Sequence, residues 1–240
     1  MTDQTKPELP IGLEIDASPA KLPERTELRG RFVTIVPLDP AVHGDVLYEE
    51  SRGTEREHLW LYLWEGPFAD RESFDGDLER KAVSPDPMYF AIIENKSALA
   101  LGHAAYLRIE PKHRVIEVGA ILYTPKLQRT AGATEAMYLM AKHAFEDLGY
   151  RRYEWKCNDL NAPSRAAALR LGFTFEGIFR QHMIIKGRNR DTAWYSMLDS
   201  EWPAKKAAFE RWLDPSNFDA DGKQKLPLSA FALSSGPAPR

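Results

Sequence analysis

The feature that most constrains this fold is a strand, a small-residue loop and a strong helix in immediate succession over residues 115–148. Val115, Ile116, Val118, Ile121 and Leu122 form an apolar, β-branched run, as a buried strand requires. Pro125 has no N–H to give a ladder and ends it. Ala133, Met137, Met140, Ala141, Ala144 and Leu148 then recur at three- and four-residue steps, one face of a helix. Gly149 follows and can supply the left-handed residue that closes it. Between strand and helix stand Gln128, Arg129, Thr130, Ala131, Gly132 and Ala133. Small side chains let a ligand approach the backbone. The unpaired N–H groups of a first helical turn, with the helix dipole, form an anion site. A pyrophosphate is the natural guest, although the same turn also serves as plain strand-to-helix geometry. The three-glycine dinucleotide fingerprint and the phosphate-loop Gly-Lys-Ser/Thr ending are both absent.

A second unit follows. Tyr153, Glu154, Trp155, Lys156 and Cys157 alternate as a strand. Asn158, Asn161, Pro163 and Ser164 then lead into a short helix through Leu171, with Gly172 and Phe173 behind it.

With both units in view, residues 115–180 resemble the acetyl-CoA-binding core of the Gcn5-related N-acetyltransferases. Gln128-x-x-Ala131-x-Ala133 is similar to their pyrophosphate loop, Gln/Arg-x-x-Gly-x-Gly/Ala. Ala133-Thr134-Glu135-Ala136 resembles the helix start of the ribosomal-protein (RimJ/RimL-like) branch, and Asn161-x-x-Ser164 resembles that branch's second cofactor motif. A weaker likeness runs from residue 28 to residue 202.

The resemblance implies an α/β fold of the α+β type, with a mixed, mostly antiparallel sheet, helices on both faces, and neighbouring strands parting beyond Leu122. It implies acetyl-CoA as co-substrate, no metal, and direct transfer to a primary amine, either a protein N-terminus or a small molecule. Backbone at Ile121, Leu122 and Tyr123 would hold the pantetheine and the oxyanion. Gln128, Arg129, Thr130, Ala131, Gly132, Ala133 and Thr134 would take the pyrophosphate, and Asn158, Asn161 and Ser164 would complete the cofactor site. Trp60, Tyr62 and Trp64 fall where the family builds its acceptor site, and Arg180, beside the final hairpin, is a further candidate for the acceptor. Two departures stand out. Ala168 replaces the tyrosine acid common four residues before the Gly-Phe pair, and Ala131 replaces a common glycine. The first keeps a rival reading open: a non-catalytic acyl-CoA-binding or interaction module.

Acetyl transfer needs a neutral amine, a donor for the oxyanion and a stabilised thiolate. Glu117, a carboxylate in an apolar strand, is the candidate base, because burial raises its pKa; alternatively the strand is half-exposed and Glu117 faces water. Ser164 either serves the departing thiolate or caps its own helix. Asn161 suits a helix N-cap and a cofactor contact equally. Trp60, Tyr62 and Trp64 read as core aromatics as readily as acceptor residues. Arg180, Arg188 and Arg190 either pair with Asp191 and Glu176 or meet an anionic acceptor. His113, His143 and His182 lack metal-ligand spacing.

Composition narrows the remaining classes. A net charge of −3 over 240 residues gives no basic field for nucleic acid. Cys157, the single cysteine, excludes an internal disulfide and fits a reducing, cytoplasmic setting. No stretch reaches a membrane span of about 18 apolar residues. The expected oligomeric state is a monomer or homodimer.

Residues 1–25, with four prolines, read as an extended arm; residues 26–213 as the acetyltransferase domain; residues 214–240 as a poorly ordered tail. Strands are expected over residues 32–36, 88–94, 98–109 and 173–179. Helices are expected from Asp39 and Asp70, each a natural N-cap, and over residues 201–213. Residues 182–186 and 192–198 read as a hairpin turning at 187–190.

Overall fold

In a computed structural model of the chain, residues 10–231 are described. The strands are β1 (Leu28–Arg29), β2 (Val33–Pro37), β3 (Met88–Glu94), β4 (Leu99–Glu110), β5 (Val115–Tyr123), β6 (Arg152–Asn158), β7 (Thr174–Ile185) and β8 (Arg188–Leu198). The α-helices are α1 (Pro40–Ser51), α2 (Arg71–Val83), α3 (Ala131–Lys142), α4 (Ala162–Arg170) and α5 (Trp202–Leu213). The strands form one sheet in the order β1-β2-β3-β4-β5-β6-β8-β7. Every pairing is antiparallel except β5 with β6.

Alternation along the strands divides the core between the two faces. Phe90 and Ile92 of β3 pack with α3 residues Met137 and Met140 on one side. Tyr89 and Ala91 face the other, with Leu47 of α1 and Phe74 and Leu78 of α2. Side chains two residues apart share a face, so one strand feeds both layers.

The helix starts follow their caps. Asp39 Oδ1 accepts the Ala41 N–H at 2.9 Å and Asp70 Oδ1 accepts the Ser73 N–H at 2.8 Å. The α-helix expected to reach Leu148 ends at Lys142, and one wide π turn, His143–Asp147, completes it before Gly149 adopts a left-handed φ of 79°. The last hairpin differs from expectation. Residues 173–179 and 182–186 belong to one strand, β7, and the turn falls at Lys186 and Gly187, both at positive φ, as a two-residue turn of this hand requires.

Residues 10–27 carry no helix or strand, yet Ala20 is buried and its N–H donates to the Pro111 carbonyl at 3.0 Å. The largest departure is at the other end. Residues 214–231, read from sequence as part of a loose tail, pack on the domain. Phe218 and Leu228 are buried, and Phe218 lies 5.2 Å from Phe32 and 5.5 Å from Trp212, ring centre to ring centre. Asn217 Nδ2 donates to the Trp212 carbonyl at 2.9 Å, and its Oδ1 accepts the Leu226 N–H at 3.0 Å. Apolar anchors and a buried amide order a segment whose composition alone reads as unstructured. The rest of the arm and tail, residues 1–9 and 232–240, lies outside the described residues.

Candidate active site

The parallel pair β5–β6 opens the site. Val115, Ile116, Glu117 and Val118 pair with Arg152, Tyr153, Glu154 and Trp155, and the pairing stops there. The strands therefore part after Val118, earlier than the expected Leu122. Just beyond, Ala120 takes a φ of 48° and the β4–β5 register shifts between His103 and Ala105. Such a bulge turns backbone groups out of the ladder beside the opening. A cleft of about 1260 Å³ runs from here across α3 and α4.

Glu117 is buried, not water-facing, and it is not alone. Because β5 and β6 are parallel and in register, Glu117 and Glu154 stand side by side. Two buried carboxylates need a cation between them. Lys156 supplies it, with Nζ 2.7 Å from Glu117 Oε2 and 2.6 Å from Glu154 Oε2, seated over the Trp194 ring at 3.9 Å. Arg108 Nε stands 3.7 Å from Glu117 and 3.9 Å from Glu154. Burial raises the Glu117 pKa above the usual carboxylate value, with Lys156 opposing. For Glu154 burial pulls the same way, but hydrogen bonds from Lys156 and Arg152 hold it below that value. Oε2 of Glu117 is committed to Lys156, whereas Oε1 lies 3.5 Å from where a side chain on Gly119 would begin, on the side where the strands part. Glu117 lines the cleft.

Ser164 lines the same cleft from the first turn of α4. The cap of that helix is Asn161, whose Oδ1 accepts the Ser164 N–H at 3.1 Å. Ser164 Oγ accepts the Trp155 indole N–H at 3.0 Å. That leaves the hydroxyl hydrogen to donate. Burial raises the pKa of the Cys157 thiol beside it, and a hydrogen bond with Ser164 partly offsets the rise. Ala168 is fully buried and does not line the cleft.

At the start of α3, Thr130 Oγ1 accepts the Ala133 N–H at 3.1 Å. The Ala131 and Gly132 N–H groups have no partner among the described residues. Arg129 sits before them with a φ of 62°. Gln128, Arg129, Thr130, Ala131, Ala133 and Thr134 all line the cleft, with Ile121, Leu122, Tyr123, Asn158 and Asn161. Gly132 does not: a methyl there would meet Val33 Cγ1 at 2.7 Å, so it faces β2. Unpartnered first-turn N–H groups beside a long cleft fit the pyrophosphate and pantetheine arm of acetyl-CoA.

The acceptor end is only partly as expected. Tyr62 and Trp64 line the cleft, and the Tyr62 hydroxyl donates to the Leu160 carbonyl at 3.1 Å. Trp60 is a core aromatic, packed edge-on to Phe68 and Phe74. Arg180 lies on β7 beside a separate hollow with Phe179 and His182. The arginines do not pair as read: Glu176 is taken by Arg152 and Ser196, and Asp191 Oδ1 by the Gln181 N–H and Asn189 Nδ2. Arg190 instead is buried and lines the cleft. The hairpin turn also reaches this end, where Lys186 Nζ donates to the carbonyls of Trp60 at 2.7 Å and Glu65 at 2.8 Å.

Lys156, Trp155, Arg170 and His103 also line the cleft and were not singled out from sequence. The alternation Glu154, Trp155, Lys156 places Glu154 and Lys156 on one face, but their partner on β5 shows only once the strands pair. Arg170 Nη2 donates to Thr134 Oγ1 at 3.0 Å, joining α4 to α3. His103 Nδ1 is buried without a partner among the described residues, and burial with nearby Lys81 keeps the ring below its ordinary pKa.

Residues 33–174 match the acetyltransferase (GNAT) domain, and the chain belongs to that family. It is 48% identical to a solved GCN5-related N-acetyltransferase from Brucella melitensis, over 90% of this chain and 98% of that one, with a TM-score of 0.88. A "probable" GNAT-family acetyltransferase from Chromobacterium violaceum is 40% identical over 83% of this chain and 100% of that one, with a TM-score of 0.74. A protein of Bacillus subtilis named "Putative ribosomal N-acetyltransferase YdaF" is 27% identical over 155 residues, 63% of this chain and 83% of that protein. The chain is an N-acetyltransferase that moves an acetyl group from acetyl-CoA to an amine.

Proposed function

We propose that Glu117 and Ser164 carry this transfer within a ternary complex, to a primary amine on a protein N-terminus or a small molecule. The reading rests on one observation: a buried carboxylate and a serine hydroxyl whose oxygen is held by an indole N–H border one cleft, beside the point where two strands part. The neutral amine attacks the thioester carbonyl through its nitrogen lone pair, and Glu117 Oε1 accepts the proton that the nitrogen then sheds, directly or through one water. Backbone N–H groups near the Ala120 bulge meet the developing oxyanion. As the C–S bond breaks, the Ser164 hydroxyl donates to the sulfur. The proton held by Glu117 returns through solvent to the thiolate, and the amide forms.

The YdaF likeness and the RimJ/RimL-like motifs favour a ribosomal protein N-terminus as acceptor. Such a substrate fits a cytoplasmic enzyme, and among the described residues no helix is long and apolar enough to cross a membrane. The test is thiol release from acetyl-CoA across N-terminal peptides and small amines, with binding followed by thermal shift. Acetyl-CoA at 100 times its Kd should stabilise by about 2.7 kcal/mol. Cofactor binding without thiol release from any amine would return the chain to the non-catalytic reading.

A further inference from the structure

The cleft does not end at the helix that would hold the pyrophosphate. Trp212, Phe218, Gly222, Lys223 and Gln224 border it as well, and all lie beyond residues 33–174. The segment after α5 thus forms a strap along the rim. Its location follows from its contacts. Phe218 packs beside Phe32, and the Phe32 N–H is held by Glu135 Oε2, one turn into α3, at 2.6 Å. Gly132, in the first turn of α3, abuts Val33. The strap therefore sits at the α3 N-terminus, at the end of the cleft away from Glu117.

The strap is built, not draped. Gln224 pairs with Phe218 in an antiparallel bridge, and the Trp212 indole N–H donates to Gln224 Oε1 at 3.1 Å. Asp219 holds the turn between them: its Oδ1 accepts the Lys223 N–H at 2.8 Å, and its own N–H donates to the Lys223 carbonyl at 3.0 Å. The Lys223 backbone is fixed on both sides, yet its ammonium makes no ion pair or hydrogen bond among the described residues. By contrast, Lys225 next door donates to the Ser216 carbonyl at 2.8 Å and serves the strap itself.

We propose that Lys223 binds the ribose 3′-phosphate of coenzyme A. The assignment rests on the acetyl-CoA reading of the cleft. With the reactive end beside Glu117 and the pyrophosphate at the α3 N-terminus, the next group outward is an adenosine bearing a phosphate dianion. Lys223 is a cation on an ordered backbone, unpaired among the described residues, on the rim at that end. A lysine meets phosphate as a point charge, and a charge-assisted contact on a pre-ordered backbone loses little entropy.

The test is calorimetric titration of the full chain with coenzyme A and with 3′-dephospho-coenzyme A. Wild type should prefer coenzyme A by about 3- to 10-fold, the scale of one charged contact at a solvated rim. Lys223→Ala should erase that preference by weakening coenzyme A alone, Lys223→Glu should reverse it, and Lys223→Arg should restore it. The Lys223 side chain is exposed, so these variants should keep the wild-type melting temperature. An unchanged preference in Lys223→Ala, or an equal loss for both ligands, overturns the assignment while leaving the cofactor reading intact. Failure of wild type to bind either ligand overturns both.

Discussion

The Trp155 indole N–H donates to Ser164 Oγ at 3.0 Å, so a buried strand residue sets the direction in which a helix hydroxyl donates. Trp155→Phe should retain the fold and lower turnover by about 3- to 10-fold, the scale of one hydrogen bond. Ser164→Ala should lower it by about 10²-fold or more and also strand the indole N–H, at about 1–3 kcal/mol of stability. The double variant should recover that stability without recovering turnover. Melting temperature and thiol release, measured on all three proteins, check this. Normal turnover in Ser164→Ala would make the hydroxyl a mere partner of Trp155.

Glu117→Gln should slow thiol release while leaving acetyl-CoA affinity nearly unchanged, since its ion pair lies at the reacting end. The base must be deprotonated, so wild-type kcat/KM should fall on the acid side with an apparent pKa above the ordinary 4.5, where burial places Glu117. The Glu117→Gln variant should lose that limb. Stability runs in the opposite sense. A carboxyl with a raised folded pKa keeps its proton longer in the native state than in the unfolded chain. Its contribution is most favourable below about pH 4.5 and declines as pH rises through the folded value. A pH–rate profile of both proteins decides; an unchanged acid limb in the variant assigns the base elsewhere.

Much of this was legible because local chemistry dictated it. Asp39, Asp70 and Asn161 cap helices wherever they precede a periodic run, and tertiary context need not intervene. The small-residue loop at 128–133 was visible for the same reason. Glu117 shows the limit. From the apolar strand it reads equally as a buried carboxylate or as one facing water, and its partner Lys156 lies on a parallel strand reached through the whole of α3, so burial and ion pair alike are properties of register. The strap shows another limit. Phe218 and Leu228 are isolated apolar residues in polar sequence, and nothing local says that Phe32 and Trp212 wait to receive them. Trp60 fails in the opposite direction: an aromatic beside the site is indistinguishable in sequence from one beneath it.

The phosphate loop has two neighbouring positions with opposite consequences. Gly132→Ala should destabilise the protein, because its methyl would strike Val33 at 2.7 Å between packed elements. Overpacking of this kind costs about 1–3 kcal/mol. Ala131→Asp faces the cleft instead. A carboxylate in a first helical turn favours the helix by about 0.3–1 kcal/mol, yet it stands where the pyrophosphate would lie. The expected result is an unchanged or slightly raised melting temperature with at least a roughly tenfold loss of acetyl-CoA affinity, or about 1.4 kcal/mol. Retained affinity would move the pyrophosphate away from α3.

Glu135 is the residue that ties α3 to the sheet edge. Its carboxylate accepts three backbone N–H groups, from Arg31 at 2.8 Å, Phe32 at 2.6 Å and Val33 at 2.9 Å. The carboxylate is buried, and as a charged acceptor it makes stronger hydrogen bonds than a neutral one would. Glu135→Ala should therefore cost about 3 kcal/mol, since it removes three charge-assisted hydrogen bonds and leaves the buried Val33 N–H unpaired. Glu135→Gln should fall between, because its amide keeps one accepting oxygen and sets an NH₂ against the remaining donors. The same turn presents Phe32 to Phe218, so both variants should loosen the strap and narrow the preference for coenzyme A over its dephospho form. Chemical denaturation measures the first effect and calorimetry the second. A stable Glu135→Ala with wild-type preference would show that α3 and the strap are positioned independently of this carboxylate.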